Sequence, residues 1–263
     1  RDVYKRQAYV HGGYERYRRT SFDGIPTLAD GSIVNLDRSF FIGSDDYNLT
    51  TKVWRANAGI SWEVSPMWSI DLKTNYQNTK TVGPAPYAYS LQANGDFNFK
   101  IQNFLDRSDE DFAIGASSVY KLDDVGLDGS FVSVSAMYQS ADSYTLQNQP
   151  YFGSTTTGAA NIYDGVDAIT AALNAASFAG ATNRSSERKL KFLTLSGQAY
   201  IKPTDKLSLL LGLSYAKPDI KSQANSDPVQ DYSGDSQMSY RAALTYEFVP
   251  GLNAYVLSLI HTS

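Results

Sequence analysis

Between Leu207 and Ala216 the chain alternates strictly. Leu207, Leu209, Leu211, Leu213 and Tyr215 share one parity, while Ser208, Gly212, Ser214 and Ala216 hold most of the other. Successive side chains of a strand point to opposite faces, so this segment has an apolar face and a small, polar one. In a soluble sandwich the apolar face meets a second sheet. A membrane barrel turns it to lipid and leaves the polar face to a wet lumen.

The same period-two pattern recurs along the chain. Asn48 to Val64 reads as a strand with Trp54, Ala56, Ala58, Ile60 and Trp62 on one face, against Val53, Arg55, Asn57, Ser61 and Glu63. After a Ser65-Pro66-Met67 turn, Trp68, Ile70, Leu72, Thr74 and Tyr76 continue the apolar face, with Ser69, Asp71, Lys73, Asn75 and Gln77 opposite. Hairpins follow at Phe112 to Leu122 with Val132 to Tyr138, joined by Asp123-Asp124-Val125-Gly126, and at Leu193 to Ile201 with Leu207 to Tyr215, joined by Pro203-Thr204-Asp205. A fourth hairpin runs from Met238 through the Pro250-Gly251 turn to Val256, and a weaker strand covers Ala8 to Arg18. The count is about nine strands. That number is odd, whereas single-chain bacterial barrels have even counts, so this stretch does not close a barrel alone.

Connections alternate between two length classes. Turns of a few residues alternate with long segments at Thr20 to Tyr47, Thr81 to Asp106, Tyr144 to Arg188 and Asp219 to Asp235. Tight turns at one end and long loops at the other are the habit of outer-membrane barrels. Aromatic residues mark depth on the apolar face, with Trp62, Trp68, Tyr120 and Phe248 beside the short turns and Tyr76, Tyr138 and Tyr215 toward the opposite ends. Two such girdles are expected at the two membrane interfaces. Within the third long segment, Val166, Ile169, Leu173 and Ala176 have helical spacing, which predicts a short packing helix over 166–177.

Composition removes several classes. With 23 Lys and Arg against 27 Asp and Glu, and a formal net charge of −4, the chain has no nucleic-acid footprint. No run approaches the ~18 apolar residues of a membrane-crossing helix, and the mean hydropathy is −0.33. The chain has no cysteine, which removes thiolate metal sites, thiol nucleophiles and disulfides together. Residues 1–7 and 257–263 resemble the translated ends of a sequencing adapter, so the domain expected is a partial barrel over residues 8–256 flanked by two foreign tails.

Four segments carry a family resemblance. Leu36-Asp37-Arg38-Ser39-Phe40-Phe41-Ile42-Gly43-Ser44-Asp45-Asp46-Tyr47 resembles the Leu-Pro-Arg-Ser-Arg-Tyr-Leu-Gly-Glu-Pro-x-Tyr loop segment of TonB-dependent siderophore receptors. The segments Phe104 to Glu110, Lys202 to Leu209 and Tyr240 to Leu252 are similar to the same family, in the same order. Asp37, Phe40, Ser44 and Asp45 depart from the family's Pro, Arg, Glu and Pro. The resemblance implies an all-β, antiparallel transmembrane barrel of 22 strands filled by an amino-terminal plug, of which this chain supplies about nine strands with short periplasmic turns and long extracellular loops. It further implies a bacterial outer-membrane location, a ferric siderophore as transported ligand, no covalently bound cofactor, and coupling to the TonB complex through a plug segment that this sequence does not contain.

Chemistry-bearing motifs are otherwise scarce. The sole interior histidine is His11, which leaves no Ser-His pair or zinc site to assemble from the interior. Paired carboxylates such as Asp45 with Asp46, Asp109 with Asp111 and Asp123 with Asp124 fall in expected loops and turns, where solvated turn residues are the default. Binding groups are sought in the long loops. Tyr87, Tyr89, Phe97, Phe99, Tyr144, Tyr151, Phe152 and Tyr163 offer flat amphipathic surfaces for a catecholate or hydroxamate chelate, and Arg38 or Arg107 would match its negative charge. The competing role for every one of these aromatics is packing between loops. The expectation is thus a non-enzymatic outer-membrane receptor fragment for a ferric siderophore. A cobalamin, saccharide or other nutrient receptor of the same architecture, an outer-membrane barrel enzyme and a soluble β-sandwich adhesin stand as alternatives.

Overall fold

The computed structural model describes residues 6–21, 27–35, 47–149, 158–174 and 182–262. Among the described residues eleven antiparallel strands form one sheet, and nine of them follow one another as a meander. These are β1 (Arg6–Thr20), β2 (Asn48–Glu63), β3 (Trp68–Tyr89), β4 (Asp96–Lys121), β5 (Phe131–Gln149), β7 (Thr182–Thr204), β8 (Leu207–Ala224), β10 (Gln237–Val249) and β11 (Leu252–Thr262). Two short strands lie off this path, with β6 (Gly158–Asn161) pairing β4 and β9 (Gln230–Asp231) pairing β8. β1 and β11 are the two sheet edges. Residues 6–7 continue β1, and residues 257–262 continue β11.

Register makes the alternation of single strands into two continuous faces. Ile60 stands opposite Leu72, Leu72 opposite Ala116, and Ala116 opposite Ala136. Further along, Leu195 meets Tyr215 and Leu211 meets Ala242. The other face carries the polar pairs, including Ser135–Ser196 at 2.6 Å, Ser214–Ser239 at 2.8 Å and the Arg55–Glu15 ion pair at 2.9 Å. A one-residue slip would exchange the faces on a strand, so this register is strongly specified once the faces meet different solvents. The apolar face is uncovered within the chain: Leu211 is 44% exposed and Trp54 55%.

Local chemistry closes the short turns. Ser65 Oγ accepts hydrogen bonds from the Met67 and Trp68 amides, and Thr204 Oγ1 accepts from those of Lys206 and Leu207. Between β4 and β5 a 3-10 turn at Asp123–Val125 ends on Gly126 in the left-handed region, and Asp123 accepts the Gly129 amide.

The strands run much further than the clean alternation predicted. The segment 81–106, expected as a loop, instead continues β3 to Tyr89 and starts β4 at Asp96, leaving residues 90–95 as the connection. Pro84 and Pro86 obscured this extension. Ladder pairing of β2 to β3 ends at Val82, so both prolines occupy a β3 stretch with β4 as its one ladder partner, a position where a missing N–H is tolerated. Likewise β5 reaches Gln149 and β7 begins at Thr182, and the connection between them contains β6 and a helix α1 (Val166–Asn174).

The buried core sits in this upper extension. Tyr47, Leu91, Phe97, Phe99, Ile101, Ile162 and Ile169 form one cluster, with Ala88, Ala160 and Ala172 packed against it. The expected packing helix is therefore present, ending at Asn174, and its Ile169 is fully buried. Phe97 and Phe99, candidate ligand-facing aromatics by sequence, are core residues instead.

Candidate functional site

A β-bulge decides which side chains of the upper wall face inward. From Thr81 to Gly83 β3 advances two residues while β4 passes three, from Arg107 to Phe104. Against β5, the step from Leu146 to Gln147 is matched by Asp106 to Phe104. Leu105 is the extra residue, and it inverts the parity of β4 above it. Phe97, Phe99 and Ile101 are thereby placed on the face continuous with the apolar band, where β6 extends the sheet beside them and Tyr47, Leu91, Ile162 and Ile169 of α1 pack against them. Lys100, Gln102 and Phe104 join Arg107 on the polar face. On β3 the residues opposite Lys100 and Asn98 are Tyr87 and Tyr89, which share that polar face.

Close packing holds this wall in place. Gly83 has φ +127°, and a Cβ there would lie 2.1 Å from the Asn48 carbonyl oxygen, so β2 and β3 can approach there only with glycine.

A ladder of cations and aromatic rings results. The rings of Tyr87 and Tyr89 stand 6.0 Å apart, and Lys100 Nζ lies 5.0 Å from the Tyr89 ring centroid. The Arg107 guanidinium lies 5.7 Å from the Phe104 ring centroid, and its Nε is 4.0 Å from Asp109 Oδ2. Beside it opens a polar cleft of about 350 Å³ lined by Arg19, Thr20, Ser21, Gln102, Phe104 and Arg107, among others. Such a surface can hold a flat, anionic ligand by ring stacking and charge-assisted hydrogen bonds. Lower on the same face a hollow of about 690 Å³ is lined by residues including Tyr9, His11, Asn57, Asp71 and Lys73.

The sequence candidates thus separate. Tyr87, Tyr89 and Arg107 come together on the polar face. Tyr144 pairs with Ser108 on the opposite, apolar-band face. Tyr163 lies in the turn between β6 and α1, against Gly95, whose φ of +89° leaves no room for a Cβ beneath the tyrosine ring. Arg38, Tyr151 and Phe152, with most of the Leu36-to-Tyr47 segment, lie outside the described residues. Lys100, Phe104 and Arg19 were missed, because parity counted without the bulge turns Lys100 and Phe104 away from Arg107. Among the described residues no three His, Cys, Asp or Glu side chains converge as a metal site.

The family described as TonB dependent receptor-like, beta-barrel matches residues 2–259. Among solved structures, the chain is similar to the ferric-catecholate import receptor Fiu of E. coli K12 in its closed form, with a TM-score of 0.70 and 13% identity over 97% of this chain and 41% of Fiu. It is also similar to FpvA of P. aeruginosa bound to a heterologous pyoverdine, with a TM-score of 0.67 and 11% identity over 98% of this chain and 33% of that one. BauA, the ferric preacinetobactin receptor of Acinetobacter baumannii, gives a TM-score of 0.60 and 12% identity over 95% of this chain and 36% of its own. Identities this low show a shared fold, and the chain spans well under half the length of each of these three structures. No curated protein matches by sequence.

Proposed function

The chain belongs to the TonB-dependent receptor-like β-barrel family, whose members are bacterial outer-membrane transport receptors rather than enzymes, and from that premise we propose that the protein imports a ferric siderophore. The carrying observation is the cation-and-aromatic ladder of Tyr87, Tyr89, Lys100, Phe104 and Arg107 on the polar face above the membrane band. The polar face lines the lumen, so a chelate entering from outside meets this wall first. Ferric catecholates combine negative charge with aryl rings, and a guanidinium or ammonium beside tyrosine and phenylalanine rings complements both. Three solved proteins of the same fold are a ferric-catecholate import receptor, FpvA bound to a pyoverdine, and a ferric preacinetobactin receptor. These likenesses support a siderophore over cobalamin or a saccharide. Below the ladder, the hollow around His11, Asp71 and Lys73, with Ala113 and Met137 also in its wall, offers a mixed polar and apolar surface that a plug segment would pack against. The TonB complex would act through that plug. Lipid contacts the apolar band, and nucleic acid is no partner.

The test is uptake. Residues 8–256 replace the matching barrel segment of Fiu, and radio-iron import is measured in a TonB-competent strain with catecholate, hydroxamate and neutral chelates. Arg107→Ala or Lys100→Ala should each weaken capture of anionic aryl chelates by roughly 10- to 100-fold, from ~1.5 to 3 kcal/mol per charge-assisted hydrogen bond. Unchanged import of every chelate, with intact assembly, would remove the ladder from recognition.

A further inference from the structure

We propose that the apolar-band face of β1, β2 and β3 binds the phosphate groups of an outer-leaflet membrane lipid through Arg16, Arg18, Lys52 and Lys80. Arg16 stands directly opposite Lys52, and Lys52 directly opposite Lys80, so three cations lie in one row across three adjacent strands. Arg18 is the next outward residue on β1. Like charges directly opposite one another destabilise a sheet, so this row calls for an anion. Asp106 supplies one carboxylate, 3.1 Å from Lys80. Arg16, Arg18 and Lys52 make no ion pair or side-chain hydrogen bond among the described residues.

The far half of the same face is built differently. There Lys189 pairs with Glu187 at 2.8 Å and stands opposite Asp142, while Lys221 lies 3.9 Å from Asp219, which stands opposite Lys191. On β5, β7 and β8 three carboxylates stand among four lysines, Lys217 included, whereas on β1 to β3 the cations of this face have no carboxylate among them.

Height and surroundings select a lipid as the source of the anion. Lys52 lies ten residues above Trp62 along β2, about 25 Å at ~3.3 Å per residue and ~40° of tilt, which matches the height of the apolar band. Directly below the cations, Tyr14 and Trp54 stack with ring centroids 4.4 Å apart, in the position of an interfacial aromatic pair. Val10 and Ile60 continue the apolar surface downward from there. A phosphorylated lipid can satisfy both zones at once, with acyl chains on the apolar wall and phosphates on the cations. A free phosphate satisfies the cations alone.

The test uses the Fiu graft carrying residues 8–256, purified as an assembled barrel and titrated with micelles containing lipid A, a bisphosphorylated acyl-glucosamine lipid. Bound lipid is counted by native mass spectrometry. The triple variant Arg16→Gln, Lys52→Gln, Lys80→Gln should bind lipid A roughly 100-fold more weakly, from an expected loss of about fivefold for each cation. Dephosphorylated lipid should bind parent and variant alike, and Lys189→Gln with Lys217→Gln should shift lipid A affinity by less than about twofold. Lys52→Gln alone, at the exposed centre of the row, gives the same comparison should the triple variant not assemble. Parent-like affinity in the variants overturns the proposal. So does an equal loss in the Lys189 and Lys217 control, or inorganic phosphate competing at the concentration of the lipid, which would make the row a free-anion site.

Discussion

β4 runs through two environments on one face. In its lower half Ile114 and Tyr120 are 38% and 40% exposed, whereas in its upper half Phe97 is 1% exposed and Phe99 is fully buried. The residues are similarly apolar and belong to the same strand, so hydrophobicity alone does not explain the contrast. The missing cover does. Below, no part of the described chain covers the face, and with lipid as the proposed partner such side chains need nothing else. Above, the wall stands in water, and the connection between β5 and β7 folds back as β6 and α1 to shield it. The protein therefore has a water-type core in its upper extension and none along the lower band.

The sharpest way to break this contrast is to remove the cover's anchor. Phe99→Ala should cost about 3 to 5 kcal/mol of local stability. Its effect should be read as faster hydrogen exchange and proteolysis in α1 and β6, with barrel assembly in the membrane unchanged. Next in size, Leu211→Arg should cost ~2 to 4 kcal/mol near the bilayer midplane and block assembly, while Ser208→Arg on the lumenal face is tolerated. Equal tolerance of the two would erase the lipid-facing assignment. Ile114→Ala tests the same face with a mild change. Because lipid refills the space, it should cost about 1 kcal/mol or less, and a loss as large as that of Phe99→Ala would mean that Ile114 is packed against protein.

The smallest effect belongs to the water-exposed loops. Both the hydroxyl and the amide of Ser32 donate to Asp30 Oδ1, at 2.6 and 2.9 Å, and the side-chain bond leads in holding this carboxyl below its ordinary range. A depressed carboxyl stabilises its turn above the ordinary carboxylate pKa and loses that contribution as pH falls through the lowered value. Exchange at the Ser32 amide should therefore stay slow at a pH where unpaired carboxylates are already protonated, and accelerate only on further acidification. Acceleration already at the ordinary carboxylate pKa would deny Asp30 that role.

The lower band was legible in the sequence because it keeps a strict two-residue period, apolar on one face and polar on the other. The nine-strand meander and all four short turns followed from it. The upper wall was not legible, since its outward face is covered by protein and its alternation is interrupted by Gly83, Pro84, Pro86 and the extra residue Leu105. That single bulge also hid part of the candidate site. Tyr87, Tyr89 and Arg107 stood out as residue types, but a strict count from Arg107 sends Phe99 and Ile101 inward and Lys100 outward, the reverse of what the register shows. One signal was available in the sequence. The Asp-Phe-Asn-Phe-Lys-Ile run from Asp96 to Ile101 alternates out of phase with the Asp-Phe-Ala-Ile run from Asp111 to Ile114, and a phase break within one strand marks a bulge.

The most direct measurement follows from the absence of cysteine, which lets single cysteines be placed and spin-labelled at every position from 112 to 120 of the grafted receptor in bilayers. Collision with oxygen, which concentrates in lipid, and with a water-soluble nickel chelate would then be compared along β4. Lipid contact predicts oxygen access peaking at 112, 114, 116, 118 and 120 and nickel access at 113, 115, 117 and 119, in strict two-residue alternation. Nickel access equal on both parities, or even-numbered positions shielded from both reagents as in a sheet packed on another sheet, would contradict it.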